Sequence, residues 1–389
     1  MTSAEPIPVS PIVALSFGAC GSGAALRVCD PLLPHLATQY GVGLGSAAQT
    51  VTAFAVAYGV VQLAYGPIGD RFGKYRVVTL ATICSALTSL ACALAPTLPA
   101  LLIARMLAGA TAGALIPLSL AWIGDTVPYE RRQPVLARFL IGHMFGVALG
   151  QVLGGVGADY LGAGPVFVAL AVWFAAAAWL MWRHTPPRLE APQRSSGNIA
   201  KRFASVLEAP WSRVVLLTVF VEGFLLVGAL AFVPTHLHRA YGLRLTAAGS
   251  VVMLFGAGGL IYAALSPVLL RRLGEPGLAG GGGILLASCF TAIALGSIPL
   301  IAGAACLVAG LGFYMLHNTL QVNATQMAPA QRGSSLALFA CTLFVGQAAG
   351  VTLAGVLAER VGTGPVIAGA GVMLLMVALA FAAARRRHH

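Results

Sequence analysis

The chain has 389 residues, of which 58% are hydrophobic and only 9% charged, and its mean hydropathy is +0.88. An ordinary soluble domain carries about 25% charged residues, so this composition excludes a water-soluble fold and puts most of the surface in lipid. The net charge of +12 does not point to nucleic acid, because the basic residues sit in short segments between apolar runs, where they act as topology signals.

Twelve apolar runs follow one another at roughly 11–36, 45–69, 76–95, 97–124, 134–160, 163–183, 213–238, 246–270, 277–297, 299–327, 333–358 and 363–384, each near the length of a membrane span. No basic stretch precedes the first run and no A-x-A site follows it, so it reads as a span rather than a cleaved leader. It holds Arg27 and Asp30, three residues apart and so on one helix face. The second run leads into Gly66-Pro67-Ile68-Gly69-Asp70-Arg71-Phe72-Gly73-Lys74. The fourth carries Leu101, Arg105, Gly109 and Gly113 at a spacing of four. The fifth carries His143, Gly146, Gly150, Gln151, Gly154 and Gly155.

The segment 184–212, rich in Pro, Ser, Gln and Arg, reads as a linker. It divides the chain into an N-terminal bundle at 1–183 and a C-terminal bundle at 213–387. Glu222 lies about 15 Å into the seventh run, with no basic residue within one helical turn. That isolation predicts a carboxyl that exchanges a proton reversibly, or one that bonds a neighbouring helix. Gly280 to Gly283 predict a loose start to the ninth helix. The tenth run holds His317, Asn318, Gln321 and Asn323, and the eleventh holds Gln347. These polar groups, with His143 and Gln151, are candidate solute contacts. Helix–helix hydrogen bonding is the alternative for each. Tyr58, Tyr65, Trp122, Phe224, Phe255 and Tyr314 are candidates for an apolar wall. The seven cysteines show no CxxC spacing and read as reduced packing residues. His236 and His238 lack a Met-xxx-Met companion, so no metal site is expected.

The two halves repeat. Gly146, Gly150, Gly155, Gly162, Gly164, Pro165 and Val166 recur as Gly346, Gly350, Gly355, Gly362, Gly364, Pro365 and Val366, and Asp159 recurs as Glu359. Pro34, Pro67 and Arg71 recur as Pro234, Pro267 and Arg271 at the same offset. Parallel six-span repeats with a site between them at mid-membrane are a transporter architecture. Eighteen basic residues fall in segments assigned to one side and three to the other. That bias predicts cytoplasmic termini in a cell inner membrane.

The Gly66–Lys74 segment resembles the loop signature between the second and third helices of the major facilitator superfamily. The resemblance implies an all-α polytopic fold of about twelve spans in two pseudo-symmetric bundles. In that family the loop clasps one state of a rocking cycle, which assigns Gly66, Gly69, Asp70, Arg71, Gly73 and Lys74 a conformational role. In the second copy Leu270 replaces Asp70. The fourth-run pattern, the fifth-run glycines and Asp30-Pro31-xx-Pro34 are similar to the drug:proton antiporter branch, with Gln151 where that branch has proline; Gly146, Gly150, Gly154 and Gly155 are expected to have a conformational role, letting the halves rock, so that a bulky residue at Gly150 slows transport.

The resemblance implies a secondary transporter rather than an enzyme, usually a monomer, driven by a proton gradient and without a cofactor or metal. Asp30 and Arg105 fall about 9 Å and 12 Å from the outer ends of their helices, and the resemblance implies that the first and fourth helices both line the cavity, so an Arg27–Asp30–Arg105 cluster is expected. There Asp30 takes a proton or a cationic solute in turn, and Arg105 competes with the proton. The alternatives are a permanent ion pair, or two arginines binding an anionic solute. Proton-coupled export of a drug-like or metabolite compound is the leading reading. Import of a sugar, nucleoside, siderophore or other metabolite is the alternative. No Walker, GxSxG or HExxH sequence is present.

Overall fold

The computed structural model describes residues 8–186, 199–296, 298–328 and 331–388. These are almost wholly helical, with no strand among the described residues. In chain order the helices are α1 (Val9–Arg27), α2 (Cys29–Tyr40), α3 (Leu44–Phe72), α4 (Lys74–Ala93), α5 (Leu98–Ala112) and α6 (Leu115–Thr126). They continue as α7 (Tyr129–Val156), a π turn at Gly157–Leu161, α8 (Ala163–Arg183), α9 (Ile199–Glu208), α10 (Pro210–Leu230) and α11 (Val233–Tyr241). The last are α12 (Leu245–Leu295), α13 (Pro299–Gln326), α14 (Arg332–Val361) and α15 (Thr363–His388).

Among the described residues, eleven stretches are long and apolar enough to cross a membrane. One of them, α12, has 51 residues. A straight helix of that length would reach about 77 Å, more than twice the hydrocarbon thickness. It is broken at Gly274, whose φ of 64° and ψ of 175° are non-helical. The two arms, 245–273 and 275–295, are therefore separate spans, and the total is the expected twelve.

Prolines explain the breaks inside three other spans. Pro31, Pro117 and Pro234 have no N–H, so the carbonyls of Arg27, Gly113 and Leu230 lose their helical donors. The helix is interrupted at those places, between α1 and α2, α5 and α6, and α10 and α11. The expected 184–212 linker contains a helix, α9, which packs on α10 and α14, and α10 already begins at Pro210. The part of the linker at 187–198 lies outside the described residues.

Glycine sets the helix packing. A Cβ on Gly146 would strike the backbone of Cys20, and one on Gly150 the backbone of Ala24, so α7 lies backbone-close on α1. At an offset of 200 the contact recurs: Gly346 meets Phe220 and Gly350 meets Phe224, where α14 lies on α10. The Gly280–Gly283 stretch is closely packed rather than loose, with Gly282 against the Gly312 carbonyl and Gly283 against Ala378.

Two seams join the helices before residue 186 to those after 199: α3 with α14, and α7 with α12. Twelve spans return the chain to the face on which it began, here the terminal face; the opposite one is the far face. Burial along α3 runs from Leu44 to Gly59 and then lapses except at Gly69. In α14 it is dense from Gly346 to Ala358, with only Ser335 and Phe339 before that. The seams are thus tight in the far half and splay toward the terminal face. There a cleft of about 570 Å³ opens between Gln62, Pro67, Asp70, Phe203, Arg332 and Ser334.

Candidate functional site

The break after α1 positions the first polar group. Arg27 ends α1 and Asp30 lies in the first turn of α2. Asp30 is 0% exposed. Its Oδ2 accepts a hydrogen bond from Gln151 Nε2 at 3.0 Å and lies 3.8 Å from Arg27 Nη1. Arg27 Nη2 reaches across to the other half and donates to Gln347 Oε1 at 3.4 Å. The buried atoms Asp30 Oδ1, Arg27 Nη1 and Gln151 Oε1 make no hydrogen bond within the protein. Arg27 therefore sits at the seam, with Asp30 behind it.

Arg105 does not complete the expected triad. Its guanidinium donates to two backbone carbonyls, from Nη1 and Nη2 to Ala25 at 3.1 Å and from Nε to Thr50 at 3.2 Å. It also lies over the Phe54 ring at 4.2 Å. The cause is the glycine contact: Gly109 brings α5 onto the backbone of Phe54 in α3, so Arg105 meets carbonyls first. It ties α5 to α1 and α3.

The second polar group belongs to the later helices. Glu222 of α10 is fully buried, and its Oε2 is 2.8 Å from His317 Nδ1 of α13. Of the two expectations for Glu222, the structure shows the bond to a neighbouring helix, with the partner arriving from α13. His317 is held by the rings of Phe313 at 4.9 Å and Phe339 at 5.5 Å. Its side chain is 14% exposed against 0% for Glu222. Each carboxylate thus stands behind a basic group.

The remaining candidates divide. His143 Nδ1 faces the Ala19 carbonyl at 3.2 Å and is half-buried. Asn318 donates to the Tyr262 hydroxyl at 3.0 Å, and Gln321 is exposed. Asn323 donates to Glu275 at 3.1 Å. Tyr58 packs on Phe344 of the other half at 4.6 Å, and Ser22 lies 3.4 Å from its hydroxyl. Tyr65 instead bonds the Ala110 carbonyl, and Trp122 packs on Tyr75. His236 is occupied by Thr363 and the Ile293 carbonyl, and His238 lies against the Leu243 carbonyl.

At the terminal face, Lys74 pairs with Asp70 at 3.6 Å and with Asp125 of α6. Gly73 turns at φ 89°, Gly69 packs on Leu118, and Gly66 faces open space. Arg71 lies over Phe72. The second copy, which lacks an acid at Leu270, has one at Glu275 just past the Gly274 break. Glu275 binds Arg385 at 2.8 Å as well as Asn323. Both turns thus carry an ion pair, with the charges exchanged: a base opens α4 and an acid opens the second arm of α12. The signal for it in the sequence is an acid immediately after the turn glycine rather than before it.

The sequence profile of the Major Facilitator Superfamily matches residues 15–351. The chain belongs to this superfamily. It is 25% identical over 277 residues to the uncharacterised MFS-type transporter YwfA of Bacillus subtilis, covering 64% of this chain and 62% of that one. It is 29% identical over 140 residues to the multidrug export protein EmrB of Haemophilus influenzae, covering 36% and 28%. These matches span less than two thirds of either relative. The nucleoside transporter NupG superposes with a TM-score of 0.78 at 14% identity over 97% of this chain and 98% of that one. At that identity the superposition shows the fold alone. The two relatives are named as a transporter and an export protein, and this chain shares the multi-pass membrane architecture of the superfamily.

Proposed function

We propose that the chain exports a small, partly apolar drug-like or metabolite compound in exchange for protons. It does so by alternating access in the cell inner membrane, with the terminal face cytoplasmic, and it acts as a monomer needing no cofactor beyond the proton gradient. The basic residues of the short terminal-face segments support that orientation, which makes the present form open to the cytoplasm. The two bundles, 1–183 and 213–387, are the rocking units.

The observation that carries the reading is Asp30: a fully buried carboxylate with one unpartnered oxygen, and a guanidinium near it that is not hydrogen-bonded to it. An ionisable group of this kind inside a span is a functional site by default. Protonation of Asp30 leaves the Arg27 charge uncompensated at the seam. A cationic solute is then repelled and leaves, and loss of the proton restores its place. Proton and solute compete without touching the same atom, which is antiport. Gln151 holds Asp30, and Gln347 holds Arg27. The relative named as a multidrug export protein supports export.

One feature favours a second reading. A solute at the seam meets Arg27 before Asp30, so an anionic metabolite would bind best when Asp30 is protonated. Proton and solute would then move together, as in import.

Energised inverted vesicles separate the two. Lipophilic cations, nucleosides and anionic metabolites are added in turn while the lumenal pH is followed. Solute-triggered proton release, lost in Asp30→Asn, supports export. Proton movement in the direction of the solute supports import. Solute movement that is identical in Asp30→Asn removes Asp30 from the coupling.

A further inference from the structure

Two acidic residues that play no part in the polar centre lie at the far face, and each bridges the two halves. Asp159, in the π turn after α7, accepts from the backbone N–H of Leu245 at 3.0 Å and of Thr246 at 2.7 Å, and from the Thr246 hydroxyl at 2.7 Å. Glu359, near the end of α14, accepts from the backbone N–H of Gly45 at 2.7 Å. These donors are the first-turn amides of α12 and α3, which have no partner within their own helix. Neither helix has a side-chain cap of its own; the N-cap positions are Arg244 and Gly43. The cap comes from the opposite half in both cases.

The arrangement is built twice. Asp159 and Glu359 are 200 residues apart, and so are Gly45 and Leu245. One helical turn before each acid is a glycine on the same seam. A Cβ on Gly155 would strike the backbone of Leu245 and Thr246, and one on Gly355 would meet Gly45. Glycine brings the helix end into reach, and the acid four residues later captures it. A carboxylate at a helix N-terminus is stabilised by both the free amides and the macrodipole. Arg244 adds a bond to the Tyr160 hydroxyl at 2.8 Å on the α7–α12 seam.

We infer that Asp159 and Glu359 form a twin latch that holds the far face closed, and that they are positioning residues of the transport cycle. Opening the far face parts α7 from α12 and α14 from α3. Every one of these bonds breaks, and the amides are left to water. The latch thereby sets the resting balance between the two access states, whatever the ion or solute. The α7–α12 latch, with three acceptor bonds against one, is the stronger.

The test uses the full-length protein in liposomes with Cys84 and Cys341 replaced by serine. Spin labels are placed at Gln39→Cys and Arg239→Cys, two exposed positions at the far ends of α2 and α11, and their separation is measured by pulsed electron resonance. Asp159→Ala is expected to raise the far-open fraction about tenfold, Glu359→Ala by less, and the double variant by roughly the product of the two. Asp159→Asn keeps a capping oxygen and stays near wild type. A folded double alanine variant with the wild-type distance distribution overturns the inference. Should the double variant aggregate, Asp159→Ala read against Asp159→Asn decides, and identical distributions overturn it.

Discussion

In the first half, Gly146 and Gly150 of α7 press on the backbone of Cys20 and Ala24. In the second, Gly346 and Gly350 of α14 press on Phe220 and Phe224, with the same 200-residue spacing between each pair of equivalents. The polar centre does not repeat in this way. Val227 and Leu230 stand where Arg27 and Asp30 do, Ala305 where Arg105 does, and Ser22 and Pro117 where Glu222 and His317 do. Close backbone approach is a demand the bilayer makes on both copies, since helices there associate through packing rather than through the hydrophobic effect. Side-chain charge answers to the task and diverges freely. One half holds an arginine–aspartate pair and the other a histidine–glutamate pair.

The sharpest way to break the comparison is to fill the repeated contact. Gly150→Val and Gly350→Val each drive a side chain into a backbone carbonyl on the partner helix. That contact lies within one half, so the expected result is loss of folded protein rather than slow rocking. Overpacking costs about 1–3 kcal/mol even where side chains can yield, and backbone cannot. Melting of the purified variants checks this, and a stable variant in one half only would end the equivalence. Asp30→Asn attacks the unshared chemistry: solute-driven proton movement should vanish while the protein stays folded.

Arg105→Lys tests the anchor found only in the first half. Lysine cannot reproduce the planar fork on the Ala25 and Thr50 carbonyls, and hydrogen bonds to charged groups are worth about 1.5–3 kcal/mol. The loss should appear as a lower melting temperature with coupling intact. Glu222→Gln removes the second half's carboxylate but keeps an acceptor for His317. Proton movement should persist through Asp30 while the transport rate falls severalfold in a flux assay. Lys74→Ala should matter least to stability, about 0–1 kcal/mol, since Asp125 is half-exposed.

Much of the architecture is legible in the chain. Twelve apolar runs, the glycine spacing and the constant offset give the spans and their duplication without coordinates. The intramembrane charges are visible too, because Arg27, Asp30, Arg105 and Glu222 stand out against apolar neighbours. Their partners are not. Spacing along one helix reveals that Arg27 and Asp30 share a face, but nothing in it shows that His317 reaches Glu222 from α13. Nor does it show that Arg105 finds carbonyls before it finds Asp30. Asp159 and Glu359 stand in the sequence only as a repeated acid, since their role depends on amides of a helix in the other half.

The Gly274 break has a consequence for how the spans turn. A single residue of positive φ separates two spans there, and Gly73, Gly162 and Gly362 serve likewise between α3 and α4, before α8, and between α14 and α15. With no slack between such paired spans, the dihedral angles of one residue set the angle of the hairpin. Any side chain at Gly274 would be strained whatever the space around it, so a substitution there acts on the hairpin and not on the polar centre.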